Sequence, residues 1–412
     1  MTVLDLDFVR AQFPAFSQEN LRGWAFFENA GGSYACKQVV DRLANYYRET
    51  KVQPYGPYPA SKRAGEEMDS ARTRLAGLLN VETDELSFGP STSQNTYVLA
   101  NAIRAGLKDG DEIIVTNQDH EANSGVWRRL AGGGATKGAI VREWQVDPQT
   151  GSLDLADLDK LLNERTILVT MPHCSNIVAE INDVAAAAEK VHAAGALLLV
   201  DGVAFAPHGL PDIKKTGADI YLFSLYKTFA THQGAMVIRA HVSEKLENQG
   251  HYFNAGYSGK RFTPAGPDHA QVSATNGLVD YYETIYAHHF SDDVSLAEKA
   301  RKVNSLFAAH EKPLTEKLLS FLRSRNDLRI LGPVTAEHRA ATIAIQPNKP
   351  AMEIAEALVD HKIMAGAGDF YAVRLLEALN VATDPGALRL SFVHYTSEAE
   401  IDQLIAALDQ VL

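Results

Sequence analysis

Residues 220–229 read Ile-Tyr-Leu-Phe-Ser-Leu-Tyr-Lys-Thr-Phe (IYLFSLYKTF). The first half is apolar at consecutive rather than alternate positions, which predicts a strand covered on both faces, as in a parallel sheet flanked by helices. The second half carries one ammonium group, Lys227, to the edge of that buried run, and a charge at such a place needs a chemical reason. On either side of this run the pattern repeats. Candidate strands Glu112–Thr116, Ile140–Trp144, Thr166–Met171, Leu197–Asp201, Ile220–Ser224 and Ala235–Ile238 are interspersed with helix-period segments Gln94–Ala105, Leu155–Asn163 and Ile181–Ala194. Strands and helices in this order predict an α/β fold with a mostly parallel sheet.

Beyond that region the composition shifts. A Gly, Pro and aromatic-rich stretch, HYFNAGYSGKRFTPAGPDHA (251–270), is followed by long helical patterns over 270–323, strand-like RILGPV and ATIAIQP, a helix over 351–361 and a closing helix in SEAEIDQLIAAL. The expected organisation is an N-terminal segment 1–25 packing with the smaller domain, a large α/β domain 26–285 and a small α+β domain 286–412. The charged segment KRAGEEMDSARTR (62–74) reads as a solvated helix face.

With 412 residues and 46% hydrophobic content, the chain can bury a sizeable core. Its formal net charge of −12 disfavours nucleic acid and anionic membrane as partners and favours a small-molecule substrate. Two cysteines, Cys36 and Cys174, cannot build a disulfide framework, which fits a reducing compartment. The acidic N-terminus and the lack of a long apolar run predict a cytoplasmic protein. The histidines 208, 232, 288 and 289 show no metal-ligand spacing, so no metal is expected.

Ligands of such sheets lie beyond the carboxyl ends of the strands. Ser91, Thr92 and Ser93 follow ELSFGP and open a helix, which suits an anion such as a phosphate as well as a plain helix cap. His120 follows EIIVT, Asn176 follows TILVTMPH, Asp201 ends LLLVD, and Ser224, Tyr226 and Lys227 follow IYLF. Together these serve one chemistry. A pyridine aldehyde needs a lysine for a Schiff base, an acid at the ring nitrogen, a flat group on the ring, a donor to the ring oxygen and an anion site. Pyridoxal phosphate is therefore the expected cofactor, with Lys227, Asp201, His120, Asn176 and the Ser91–Ser93 turn in those roles.

These segments resemble the class V aminotransferase family of fold-type I pyridoxal phosphate enzymes, in particular its cysteine desulfurase and selenocysteine lyase branch. The resemblance runs from FFENAGGS (26–33) to RLSFVHYTSEAEID (389–402). DHEAN (119–123) is similar to the family's Glu-His-His-Ala-Asn, HCSN (173–176) to His-Val-Ser-Asn and SLYK (224–227) to Ser-Gly-His-Lys. The resemblance implies a fold-type I transferase with a seven-stranded sheet in its large domain. It also implies His120 stacked on the cofactor ring, Ser224 and Tyr226 on its phosphate, and Lys227, His120 and Asp201 as the catalytic residues. Arg389, with Ala30 and Gly31 of the FFENAGGS turn, would bind the substrate, Arg389 by a fork on its α-carboxylate. AGPDHA (265–270) lies where the family sends a loop into the partner subunit's site, which implies a homodimer with its active site at the interface.

Two departures narrow the expectation. Ala204 stands where the family offers Gln or His, and IMAGAGDFYAVRL (363–375) stands where the desulfurases carry a mobile loop with a nucleophilic cysteine. The expected function is transformation of a small α-amino acid through an external aldimine, by transamination or β-elimination, without a persulfide on the protein. Racemisation or epimerisation, and a catalytically inactive cofactor-binding protein, are the alternatives.

Overall fold

The structure, a computed structural model, describes residues 2–131 and 138–412. Seven strands form the main sheet: β1 (Leu86–Gly89), β2 (Glu112–Thr116), β3 (Ile140–Trp144), β4 (Thr166–Pro172), β5 (Leu197–Asp201), β6 (Ile220–Ser224) and β7 (Gly234–Ile238). Their order is β1-β7-β6-β5-β4-β2-β3. Only β7 runs against the others, because it pairs antiparallel with both β6 and β1. The architecture is that expected, a mostly parallel α/β sheet.

The run that ends in Lys227 shows why every position is apolar. Tyr221 and Phe223 pack into a cluster with Leu75 and Leu79 of the helix Pro59–Leu79 and Leu278 of the helix His269–His289. Ile220 and Leu222 point the other way, into a cluster with Leu99 and Ile103 of the helix Thr92–Arg104. Alternate residues thus feed two separate cores, and a polar residue on either face would be buried.

A second sheet of four antiparallel strands is built from Leu328–Leu331, Thr342–Pro347, Gly366–Gly368 and Ala387–Ser391, with Gly366–Gly368 at one edge beside Ala387–Ser391. The helices Ala351–Asp360 and Glu398–Val411 supply its apolar cover through residues such as Ile354, Leu358, Leu404 and Leu408. Ala25–Phe26 pairs in parallel with Ile363–Met364, and Phe13 packs against Tyr281, Phe229 and Tyr395. Both contacts bring the N-terminal stretch to the region around Lys227.

One reading of the sequence gains a second face and two change. The segment at 62–74 is an amphipathic helix: Lys62, Arg63, Glu66 and Asp69 form the solvated face expected from the sequence, while Ala64, Gly65, Met68 and Ala71 are covered on the other, and Arg74 reaches Asp280 and Glu283 of the helix His269–His289. Ala64 shares a small apolar cluster with Ala270 of that helix, and Gly65 makes room for the Tyr55 ring. The helix expected from Ile181 begins at Val184, because Asp183 caps it by accepting from the Ala186 N–H. The strand expected in RILGPV stops at Leu331, where Gly332 turns to φ 88° and Pro333 offers no N–H. Among the described residues, no helix is long and apolar enough to cross a membrane.

Candidate active site

A cavity of about 300 Å³ opens at the carboxyl ends of β1, β2, β4, β5 and β6. All nine residues singled out for the cofactor line it: Ser91, Thr92, Ser93, His120, Asn176, Asp201, Ser224, Tyr226 and Lys227. Asp119, Cys174, Ala204 and His232 complete much of the wall.

Lys227 closes a short turn, Leu225–Lys227, directly after β6. Two residues later Phe229, fully buried, takes φ 70°, a left-handed conformation that costs a non-glycine residue roughly 1–2 kcal/mol. The chain thus doubles back at once and leaves the lysine at the end of the sheet. Burial pulls its ammonium pKa down to about 8, and the Arg389 charge pulls in the same direction. The side chain therefore loses its proton far more readily than an exposed lysine, as a nucleophilic amine must.

Asp201, the last residue of β5, accepts a hydrogen bond from the Val203 N–H at 2.8 Å. Burial pushes its pKa up to about 6. Asp119 beside it is raised as well, by burial and then by the charge of Asp201, while the Asn123 amide donates to it at 2.7 Å. Two buried carboxyls facing one cavity favour a cationic group between the walls, and a protonated pyridine nitrogen is such a group. His120 is the flat partner. Its Nδ1 accepts from the Ala122 N–H at 3.0 Å, which leaves the proton on Nε2, and burial lowers its pKa to about 4. The ring is neutral at physiological pH, so it can lie against a cationic heterocycle without repulsion.

The anion end is built by the turn after β1. Ser91 caps the thirteen-residue helix Thr92–Arg104 by accepting from the Gln94 N–H, and Thr92 and Ser224 exchange a hydrogen bond at 2.8 Å. Capping and anion binding coexist here, since the helix N-terminus still points free N–H groups at the cavity. The turn lies against Gly234 of β7: a Cβ there would stand 2.5 Å from the Ser91 carbonyl carbon and 2.6 Å from the Thr92 nitrogen. Tyr226 stacks on His232 at 4.6 Å across the same end. Asn176 donates to the Phe370 carbonyl at 2.9 Å, while its Oδ1 has no partner among the described residues. Lysine, acid, flat ring, amide and helix N-terminus on one wall fit pyridoxal phosphate.

Arg389, Ala30 and Gly31 stand apart from this wall. Arg389 leaves the strand Ala387–Ser391 only 3% exposed, pairs with Glu28 at 2.7 Å and donates weakly to the Asn176 carbonyl at 3.4 Å. The Phe370 ring covers its guanidinium at 3.8 Å. Ala30 donates its N–H to Ser391 at 2.8 Å, and Gly31 lies against the Glu28 carboxylate. The segment 363–375 reaches the cavity's neighbourhood through Phe370 and through Tyr371, whose ring centre is 5.2 Å from that of His120. It brings two aromatic rings there and no thiol.

Sequence reasoning did not single out Asp119, Glu28, Phe370 or Tyr371, and assigned His232 no role. Asp119 and Glu28 stood inside quoted motifs, DHEAN and FFENAGGS, and acidity was their only signal.

The family model described as Aminotransferase class-V matches residues 25–404. The Aminotransferase-like protein FGM3 of Gibberella zeae is 33% identical over 98% of this chain and 98% of its own length. A probable cysteine desulfurase of Halobacterium salinarum is 27% identical over 99% of this chain and 96% of its own. The solved structure of a cysteine desulfurase from Thermococcus onnurineus superposes with a TM-score of 0.83 at 22% identity, covering 100% of this chain and 98% of that one, a likeness of fold. The chain belongs to the class V aminotransferases, enzymes that work on amino acids with pyridoxal phosphate.

Proposed function

We propose that the chain removes the α-proton of a small α-amino acid and carries the reaction on to transamination or β-elimination, without forming a persulfide on its own thiols. The observation that carries this reading is the pairing of Lys227, with its pKa near 8, and the buried carboxyl of Asp201 on one cavity wall. When bound, pyridoxal phosphate supplies an electrophilic carbonyl and an electron-accepting ring. In this reading Lys227 is the residue that would hold the cofactor, and its amine, with a pKa near 8, is the base that would accept the α-proton. Asp201 would keep a proton on the ring nitrogen, His120 would supply the flat partner for the ring, and Asn176 would donate to the ring oxygen. The Ser91–Ser93 turn, Ser224 and Tyr226 hold the phosphate. Arg389 receives the carboxyl end of the substrate, with Ala30 and Gly31 lining its approach.

The exclusion of persulfide chemistry rests on the thiols. Cys36 is fully buried and Cys174 nearly so, and burial pushes both pKa values up to about 12. Attack on a substrate sulfur requires a thiolate that can move with it, and neither residue offers one. Exposed Tyr252, Phe253 and Tyr257, together with Tyr55 and Tyr58, support a homodimer in which the 265–270 loop approaches the partner's site. Sedimentation giving the mass of a single 44.9 kDa chain would exclude it. A cytoplasmic location is part of the same reading.

The test is a panel of L-amino acids given to the cofactor-loaded enzyme. Transamination yields keto acid and aminated cofactor, and elimination yields keto acid and ammonia. Inverted stereochemistry, no turnover of any member, or a trapped persulfide in intact mass after incubation with cysteine would each contradict the proposal.

A further inference from the structure

We propose that Glu28 is a specificity-determining residue. As the resident carboxylate on Arg389, it makes a free substrate carboxylate compete for the guanidinium, while the neutral amide of the same amino acid meets no such competitor. The inference rests on the reading above that the substrate's carboxyl end approaches Arg389.

The pair is built into the fold. Ser391 donates its N–H to the Phe27 carbonyl at 2.8 Å, Asn29 donates to the Ser391 carbonyl at 3.3 Å, and Glu28 bridges Ser391 in parallel register. Main-chain bonds therefore fix the Glu28 backbone against the strand that carries Arg389, within reach of the guanidinium. Two glycines make room for it: a Cβ on Gly31 would stand 2.6 Å from Glu28 Oε1, and one on Gly366 would stand 2.7 Å from Oε2. Side chains at either position would expel the carboxylate.

The guanidinium already carries one carboxylate, on Nη2. Glu28 holds Nη2, the Asn176 carbonyl takes Nη1 and Phe370 covers the face, while Nε has no partner among the described residues. A bidentate fork on an incoming carboxylate needs two adjacent N–H donors, so Glu28 would have to yield Nη2 or share it. An intramolecular carboxylate held within hydrogen-bond range acts at a high effective concentration, and a second carboxylate on the same guanidinium meets its charge at close range. An amide carbonyl needs a single donor and brings no charge to a pair that is already neutral.

Glu28→Gln tests this in the cofactor-loaded enzyme. The ligands are the amino acid most active in the panel above and its primary amide, titrated by the change in the cofactor's visible spectrum. The parent is expected to bind acid and amide within about tenfold of each other, and Glu28→Gln to tighten the acid about tenfold or more while the amide moves less than about threefold. A second readout separates specificity from mere structure. Glu28 raises the Lys227 pKa through its charge, so Glu28→Gln should move the pH midpoint of cofactor capture downward. An unchanged acid-to-amide ratio, or a shift toward the amide, would overturn the proposal. If the variant does not retain cofactor, the parent decides: near-parity supports the proposal and a preference for the acid above roughly hundredfold overturns it. Failure of the panel itself would count against the proposed reaction instead, because it is read before any acid is compared with its amide.

Discussion

Lys227 is a buried ammonium whose folded pKa, about 8, lies below the ordinary lysine value. Its neutral fraction rises with pH up to that value and saturates above it, and only the neutral amine attacks a carbonyl. The rate at which cofactor-stripped protein captures pyridoxal phosphate should therefore climb about tenfold per pH unit below about 8 and level off above it. Stopped-flow absorbance measures this, and a pH-independent rate across that range would contradict it. At this scale much of the site was legible, because a strand end exposes one or two polar residues after an apolar run, and Asp201, Ser224 and Lys227 stand at such ends. Glu28 was not legible as a partner of Arg389. The two are 361 positions apart, and nothing local distinguishes Glu28 from the other acidic residues.

At the scale of elements, β7 and the turn after β1 form one unit, because Gly234 lets the Ser91–Thr92 backbone approach β7. Gly234→Ala places a methyl group against main-chain atoms that cannot rotate aside, so the turn must shift as a whole. The expected outcome is a cofactor dissociation constant raised about tenfold or more with the secondary structure retained. Equilibrium dialysis and far-UV circular dichroism read the two quantities, and unaltered cofactor affinity would contradict the account. The strands of the main sheet were legible for the reason seen in β6: alternate residues enter two different cores, so the whole run is apolar. The turn at Phe370 and Tyr371 was hidden. Both residues are left-handed, at φ 49° and 59°, a conformation rarely adopted by aromatic residues. Asp369, Glu121 and Asn176 hold it through hydrogen bonds, two of them from distant parts of the chain.

For the whole molecule, the large sheet gathers residues from 91 to 227 at one set of strand ends, and the N-terminal stretch and the strand Ala387–Ser391 close in behind them. The long reach of the second group explains what sequence patterns left open: periodicity reports which face of an element is buried, not which distant element buries it. The central claim is that this assembly holds pyridoxal phosphate on Lys227. Borohydride reduction of the loaded protein, followed by proteolysis and peptide mass measurement, tests it most directly. The account predicts one reduced adduct, on the peptide containing Lys227, absent from Lys227→Ala. An adduct on any other lysine, or one that persists in Lys227→Ala, would contradict it.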